Sequence, residues 1–412
     1  MVEHLHAATR HTARAAARLA GFALLALLGG CGGGGGGTTP PPIPLAANQV
    51  AMTVEQDPNV SAFMTANMPY VTVTVCEPGG SNCVAVDHVL VDSKSTGLRL
   101  FASALGALSL PTETTTLGSS SAMVGECATF VSSYMWGPVR YADVKLASEQ
   151  ASSIPIQVVA DPAFPGAPSA CSGTAPQSYT TEGGTTGLGA KGILGVDVFQ
   201  SDRQAYYACT ASSCQATPLV APPAPVANVV ANFAADHNGV VLTMPVVAAS
   251  GQSNATGTLT FGVDTQSDNS SAGFSTIALD AYGEFTATMN GTAYPTSIVD
   301  SGSNFYSLNM PAGTPTLTPP PPATWKYINP ATATSYPVTF ASNTTTDRYT
   351  TSIELDPVDL QTVQNVMPNT GILVSGTTTQ IVGLPYFYGR SVALTFNGGS
   401  SAAGTGPLLG VN

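Results

Sequence analysis

The chain has 412 residues, 43% of them hydrophobic and only 9% charged, and its 12 Lys and Arg face 24 Asp and Glu for a formal net charge of −12. A surface of that sign makes nucleic acid a poor partner. The length is enough for two cores, and 42 Gly with 32 Pro among many Thr, Ser and Val predict short strands joined by turns, an all-β chain.

Arg10, Arg14 and Arg18 precede the apolar run Leu19–Leu28 and then Gly29 and Gly30, which is the order of an export signal. The run is too short to span a bilayer. Leu28-Gly29-Gly30-Cys31 resembles the processing box of bacterial lipoproteins. The resemblance implies a signal peptide over residues 1–30, acylation of Cys31, and a firm hold on a lipid membrane through several acyl chains. Residues 31–47 read as a Gly- and Pro-rich tether. No Asp follows Cys31, which in a Gram-negative cell envelope favours the outer membrane.

An N-terminal β lobe is predicted over residues 48–215. Its six cysteines, an even number in an oxidising compartment, allow fifteen connectivities. Cys76–Cys83 and Cys209–Cys214 are the local pairs, and Cys127–Cys171 remains, a set favoured because sequence neighbours close most easily. A metal site is disfavoured by the lack of Cys-x-x-Cys and of a nearby His, and no cofactor is expected. Within this half, Val89-Leu90-Val91 runs into Asp92-Ser93-Lys94-Ser95, and Ile193-Leu194-Gly195 follows later. Between them, residues 130–146 read as two strand-like runs around Gly137-Pro138, a hairpin with Tyr134 and Trp136 on its approach.

Residues 216–240 are predicted to connect the halves, with a short helix over 225–235. A C-terminal β lobe follows over residues 241–412. There Ser297-Ile298-Val299 runs into Asp300-Ser301-Gly302-Ser303, and Ile381-Val382-Gly383 follows. A second short helix is expected over 357–366, where Leu360, Val363 and Val366 recur at helical spacing. Asp264, Asp268 and Asn269 form an acidic loop with oxygen ligands of the kind calcium takes, although a single acidic loop is usually a turn.

An apolar-Asp-Ser-x-Ser turn followed by an apolar-apolar-Gly segment thus occurs twice in one order. Duplication of one lobe accounts for it, and two such lobes can bring their Asp turns together. Two carboxylates about 3 Å apart cannot both ionise cheaply, so they share a proton and serve together as general base and general acid.

These residues resemble the pepsin-like aspartic peptidases, and residues near Val89–Leu100 resemble an uncharacterised family of Gram-negative lipoproteins in which a segment close to V-L-V-D-T-G-S-S-G-L-R-L is typical. The resemblance implies a bilobal double β-barrel with a pseudo-twofold axis and an interlobe cleft for an extended peptide. It implies Asp92 and Asp300 as the dyad, with Ser93 and Ser301 bridging the lobes. Ser95 and Ser303 steady the outer carboxylate oxygens, Gly195 and Gly383 thread the loops behind the turns, and Tyr134 or Trp136 sits on a flap.

Two positions depart from that pattern. Lys94 stands where the family has Gly, and its ammonium either perturbs the dyad, lowering an Asp pKa by roughly 1 to 3 units, or swings into solvent. Arg99 stands where pepsins carry a Trp that supports the flap. Three readings follow: a membrane-anchored aspartic endopeptidase, a pseudo-peptidase that binds peptides without cutting them, and a structural surface module. A monomer is expected in each. Beyond the signal only His88 and His237 remain, and no nucleophile elbow or His-Glu-x-x-His pattern is present, so triad and zinc-hydrolase chemistry are set aside.

Overall fold

The computed structural model describes residues 44–55, 66–131, 133–173, 177–181, 187–319, 325–359 and 364–412. The signal, Cys31 and most of the tether therefore lie outside the described residues. Leu45–Asn412 forms one compact unit. It is nearly all β, as its composition predicts, with a 16-stranded and a 9-stranded sheet.

The larger sheet runs through both halves of the sequence. Its N-terminal part carries the neighbours Thr96–Phe101, Gly192–Val196, Cys83–Asp92 and Pro69–Cys76 in that order. Gln49–Val54 then pairs antiparallel with Ala255–Phe261, so the first strand of the chain joins its sheet to strands of the second half. The nine-stranded sheet belongs to the second half and contains Thr292–Val299, Ile381–Val382 and Tyr306–Asn309.

The repeat seen in sequence is also a repeat in pairing. Gly192–Gly195 lies parallel to Val89–Asp92, and Ile381–Val382 lies parallel to Ile298–Val299. In both places alternate apolar side chains enter the core, including Val89, Val91 and Leu194 in one half and Val299, Val382 and Leu384 in the other. Each trailing glycine is demanded by close approach. A Cβ at Gly195 would lie 2.6 Å from the Ser95 carbonyl oxygen, and one at Gly383 would lie 2.2 Å from that of Phe305. The loop behind each Asp is thereby pressed against the turn that presents the carboxylate.

The disulfides are Cys76–Cys83, Cys127–Cys171 and Cys209–Cys214, as the sequence predicts. Two local expectations need correction. The connection between the halves holds only a 3-10 turn at Val230–Asn232, begun by the Asn228 side chain, which accepts from the Val230 amide at 3.1 Å. The helix expected over 357–366 lies partly outside the described residues; at its end Val366 makes a bridge with Gln252 instead.

The hairpin expected over 130–146 does not form, because both of its runs lie in the single strand Ser133–Leu146, and a different hairpin takes its place. Ser120–Thr129 and Ser133–Leu146 pair antiparallel around Phe130 and Val131, which puts Gly137 and Pro138 in mid-strand opposite Glu126 and Gly125. Gly137 is small because the neighbouring strand crowds it: a Cβ there would sit 1.9 Å from the Val158 carbonyl oxygen.

Candidate active site

Asp92 closes the strand Cys83–Asp92, and Asp300 follows directly on Thr292–Val299. Strand ends of this kind leave the next amides free to turn back on the carboxylate. Asp92 Oδ1 accepts from the Lys94 amide at 2.8 Å and the Ser95 amide at 3.2 Å, while Oδ2 accepts from Ser95 Oγ at 2.6 Å. Asp300 repeats the arrangement, with the Gly302 amide on Oδ1 at 2.9 Å and Ser303 Oγ on Oδ2 at 2.6 Å. The two turns are therefore coordinated alike.

They are also locked to each other. The Ser93 amide donates to Ser301 Oγ at 3.0 Å and the Ser301 amide to Ser93 Oγ at 2.8 Å. Ser93 Oγ in turn donates to the Val299 carbonyl at 3.3 Å, and Ser301 Oγ to that of Val91 at 2.7 Å. Each hydroxyl accepts from one turn and donates to the strand behind it, so two buried serines satisfy four backbone groups across the junction of the halves.

The carboxylates meet as a result. The Asp92 carboxyl stands close enough to Asp300 for its charge to act on it. Burial pushes the Asp300 carboxyl well above the usual carboxylate range, and the Asp92 charge pushes it the same way, against the hydrogen bond from Ser303. A proton is thus retained on the pair where an isolated Asp would have lost it. Both carboxyls line a cleft of about 530 Å³ together with Phe130, Val131, Phe199 and Tyr282.

Lys94 occupies neither of the places foreseen for it. Its side chain leaves the turn and donates to Asp197 Oδ2 at 3.2 Å and to the carbonyls of Tyr282 at 2.8 Å and Gly283 at 3.2 Å. Its backbone needs no left-handed angle, since neither Lys94 nor Gly302 is among the positive-φ residues. A side chain is therefore tolerated at position 94 without strain.

Arg99 is fully buried in Thr96–Phe101. Its guanidinium donates to Glu126 and Asp202 and to the Thr96 carbonyl at 2.8 Å. Glu126 lies on Ser120–Thr129, so Arg99 ties the hairpin strand to the strand that follows the first Asp turn. Burial drives the Glu126 carboxyl well upward, opposed by Arg99. Asp202 also accepts from the Tyr206 hydroxyl, whose oxygen accepts from the Val226 amide at 2.7 Å.

Tyr134 and Trp136 do not reach the cleft lining. They pack with the Cys127–Cys171 disulfide, Phe164 and Tyr207, and Trp136 Nε1 donates to the Pro165 carbonyl at 2.8 Å. The hairpin residues that line the cleft are Thr129, Phe130, Val131 and Ser133, with Val131 94% exposed at the tip. Sequence reasoning missed them because the turn was placed at Gly137-Pro138. It also missed Asp197 and Tyr282. Among the described residues no group of three His, Cys, Asp or Glu side chains is placed to hold a metal ion.

A family model described as "Protein of unknown function (DUF3443)" matches residues 44–410. The search of curated proteins finds no match. Among solved structures, the crystal structure of aspartic proteinase from Irpex lacteus is similar, with a TM-score of 0.52 and 16% identity over 89% of this chain and 97% of that one. At that identity the likeness establishes a pepsin-like fold.

Proposed function

This chain belongs to the DUF3443 family of proteins of unknown function, and on that premise we propose that it is an aspartic endopeptidase of the bacterial cell envelope, held at the outer membrane through acylated Cys31. An extended peptide lies along the cleft under the Phe130–Val131 hairpin tip. The dyad carries one shared proton: its ionised carboxylate takes a proton from water, and its protonated carboxyl gives one to the scissile carbonyl.

The observation that carries this reading is the reciprocal hydrogen bonding of Ser93 and Ser301 beneath two carboxylates that each accept from the amide two residues on and the serine hydroxyl three residues on. A module with no use for the cleft has no need to retain both halves of that arrangement, at the cost of holding two acids side by side.

The test is cleavage of a diverse peptide library by the full-length protein from pH 3 to 7, beside Asp300→Asn and Lys94→Gly. Cleavage by the wild type that disappears in Asp300→Asn supports the peptidase. Cleavage by Lys94→Gly alone favours the peptide-binding reading, and silence from all three in folded protein removes hydrolysis. Separately, radiolabelled palmitate incorporated into the wild type and absent from Cys31→Ala tests the anchor.

A further inference from the structure

The Lys94 ammonium has three hydrogens, and the structure surrounds it with three acceptors: Asp197 Oδ2, the Tyr282 carbonyl and the Gly283 carbonyl. We propose that Asp197 is a positioning residue which, with the Asp280–Glu284 turn, cages the Lys94 ammonium and keeps it off the Asp92–Asp300 pair. The inference rests on the peptidase reading and explains how a dyad survives a cation in its own turn.

Several features support the cage. Asp197 is buried, directly follows the Gly195-Val196 segment, and is fixed by its own backbone: Oδ1 accepts from the Val198 amide at 2.7 Å, which aims Oδ2 at Lys94. The carbonyls come from the other half of the chain. Arg203 joins them, donating to the Ala281 carbonyl at 2.9 Å with its guanidinium 4.0 Å from the Phe199 ring centroid. Three successive carbonyls of one turn are thus held by two cations from the first half. The cage is complete only while the Asp280–Glu284 turn rests against the dyad turn.

The charged groups around the ammonium are Asp92, Asp197, Asp280, Glu284 and Arg203, with Asp300 beyond Asp92. With every hydrogen engaged, the ammonium has none to offer Asp92. Removing the Asp197 charge breaks the only ionic contact of the cage and leaves Asp92 as a competing anion. A cation moved against the dyad favours two ionised carboxylates over one shared proton. The general acid is then lost at a lower pH.

The decisive experiment is a cycle of Asp197→Asn, Lys94→Gly and the double variant in the full-length protein. Cleavage against pH is followed together with the protonated-carboxyl C=O band in infrared difference spectra referenced to Asp300→Asn. In Asp197→Asn the basic limb of kcat/KM and the infrared titration should both move down by about 1 pH unit or more. Activity on the wild-type basic limb should then fall by about tenfold. The double variant should recover both, because without Lys94 nothing needs caging, and Asp197→Glu should stay near wild type.

A merely structural Asp197 predicts a loss that Lys94→Gly leaves uncorrected, and that result overturns the proposal. Should Asp197→Asn fail to fold, Gly283→Ala perturbs the cage from the other side, since its Cβ would lie 2.7 Å from Lys94 Nζ. It should give the same downward shift, and an unchanged titration overturns the proposal. If no variant cleaves peptides, the peptidase reading fails while the infrared titration still decides the cage.

Discussion

Replacing Ser301 by Ala removes one hydroxyl and two hydrogen bonds. Ser301 Oγ is buried, accepts from the Ser93 amide at 3.0 Å and donates to the Val91 carbonyl at 2.7 Å. The stranded amide costs about 1–3 kcal/mol, and the carbonyl, which keeps a second lone pair, about 1 kcal/mol, so the expected loss is about 2–4 kcal/mol. Urea unfolding followed by tryptophan fluorescence reads this as a lower midpoint at unchanged slope. Ser301→Thr keeps the hydroxyl and should lose less than about 1 kcal/mol. Ser93→Ala should match Ser301→Ala because its bonds are the mirror set. The four groups lie within one contact, so the double variant should depart from additivity by about 0.5 kcal/mol or more. A wild-type midpoint in Ser301→Ala would refute the claim that this bond set holds the halves together.

Three further outcomes are expected. Asp300 and Glu126 are both pushed upward by burial, so the folded state keeps protons that the unfolded chain releases above about pH 4 to 5. Stability should therefore fall as pH rises toward neutrality, by about 1.4 kcal/mol per pH unit for each proton kept, and Glu126→Gln should flatten the fall; a urea midpoint that climbs from pH 5 to 7 contradicts this. Arg99→Met leaves Glu126 and Asp202 buried without their cation and should cost about 3–5 kcal/mol, which an unchanged thermal midpoint would disprove. Cys127 and Cys171 are 44 residues apart and Cys209 and Cys214 are 5 apart. Replacing the first pair by Ser should cost about 4 kcal/mol against about 2 for the second, and equal losses in chemical denaturation would count against chain entropy as the source.

The parts of this site that were legible in sequence are those built from adjacent residues. Asp92 to Ser95 and Asp300 to Ser303 form their turns locally, and apolar-apolar-Gly announces a backbone that must come close. The hairpin turn was misplaced because Gly and Pro punctuate turns in general, whereas Gly137 answers a neighbour that only the pairing with Glu149–Val159 supplies. Arg99 offered a readable signal, an arginine inside the apolar strand Thr96–Phe101, which demands buried carboxylates without saying which. Its partners Glu126 and Asp202 come from segments that adjoin it only in the folded chain. The cage around Lys94 left still less trace, since two of its three acceptors are main-chain carbonyls that any residue carries.

Position 94 and position 302 occupy equivalent places in the two turns and face opposite constraints. A Cβ at Gly302 would stand 2.8 Å from Asp92 Cγ, so this turn cannot accept a side chain without displacing the dyad. The Lys94 side chain leads away from the carboxylates, toward Asp197 and the Asp280–Glu284 turn. The free path exists on one side only. A local twofold arrangement of backbone bonds is therefore compatible with unequal side chains, provided that any charge added to one turn finds its counter-charge before it finds the dyad. Asp197 meets that condition at position 94, and no comparable substitution at position 302 could, because the obstacle there is the Asp92 carboxyl itself.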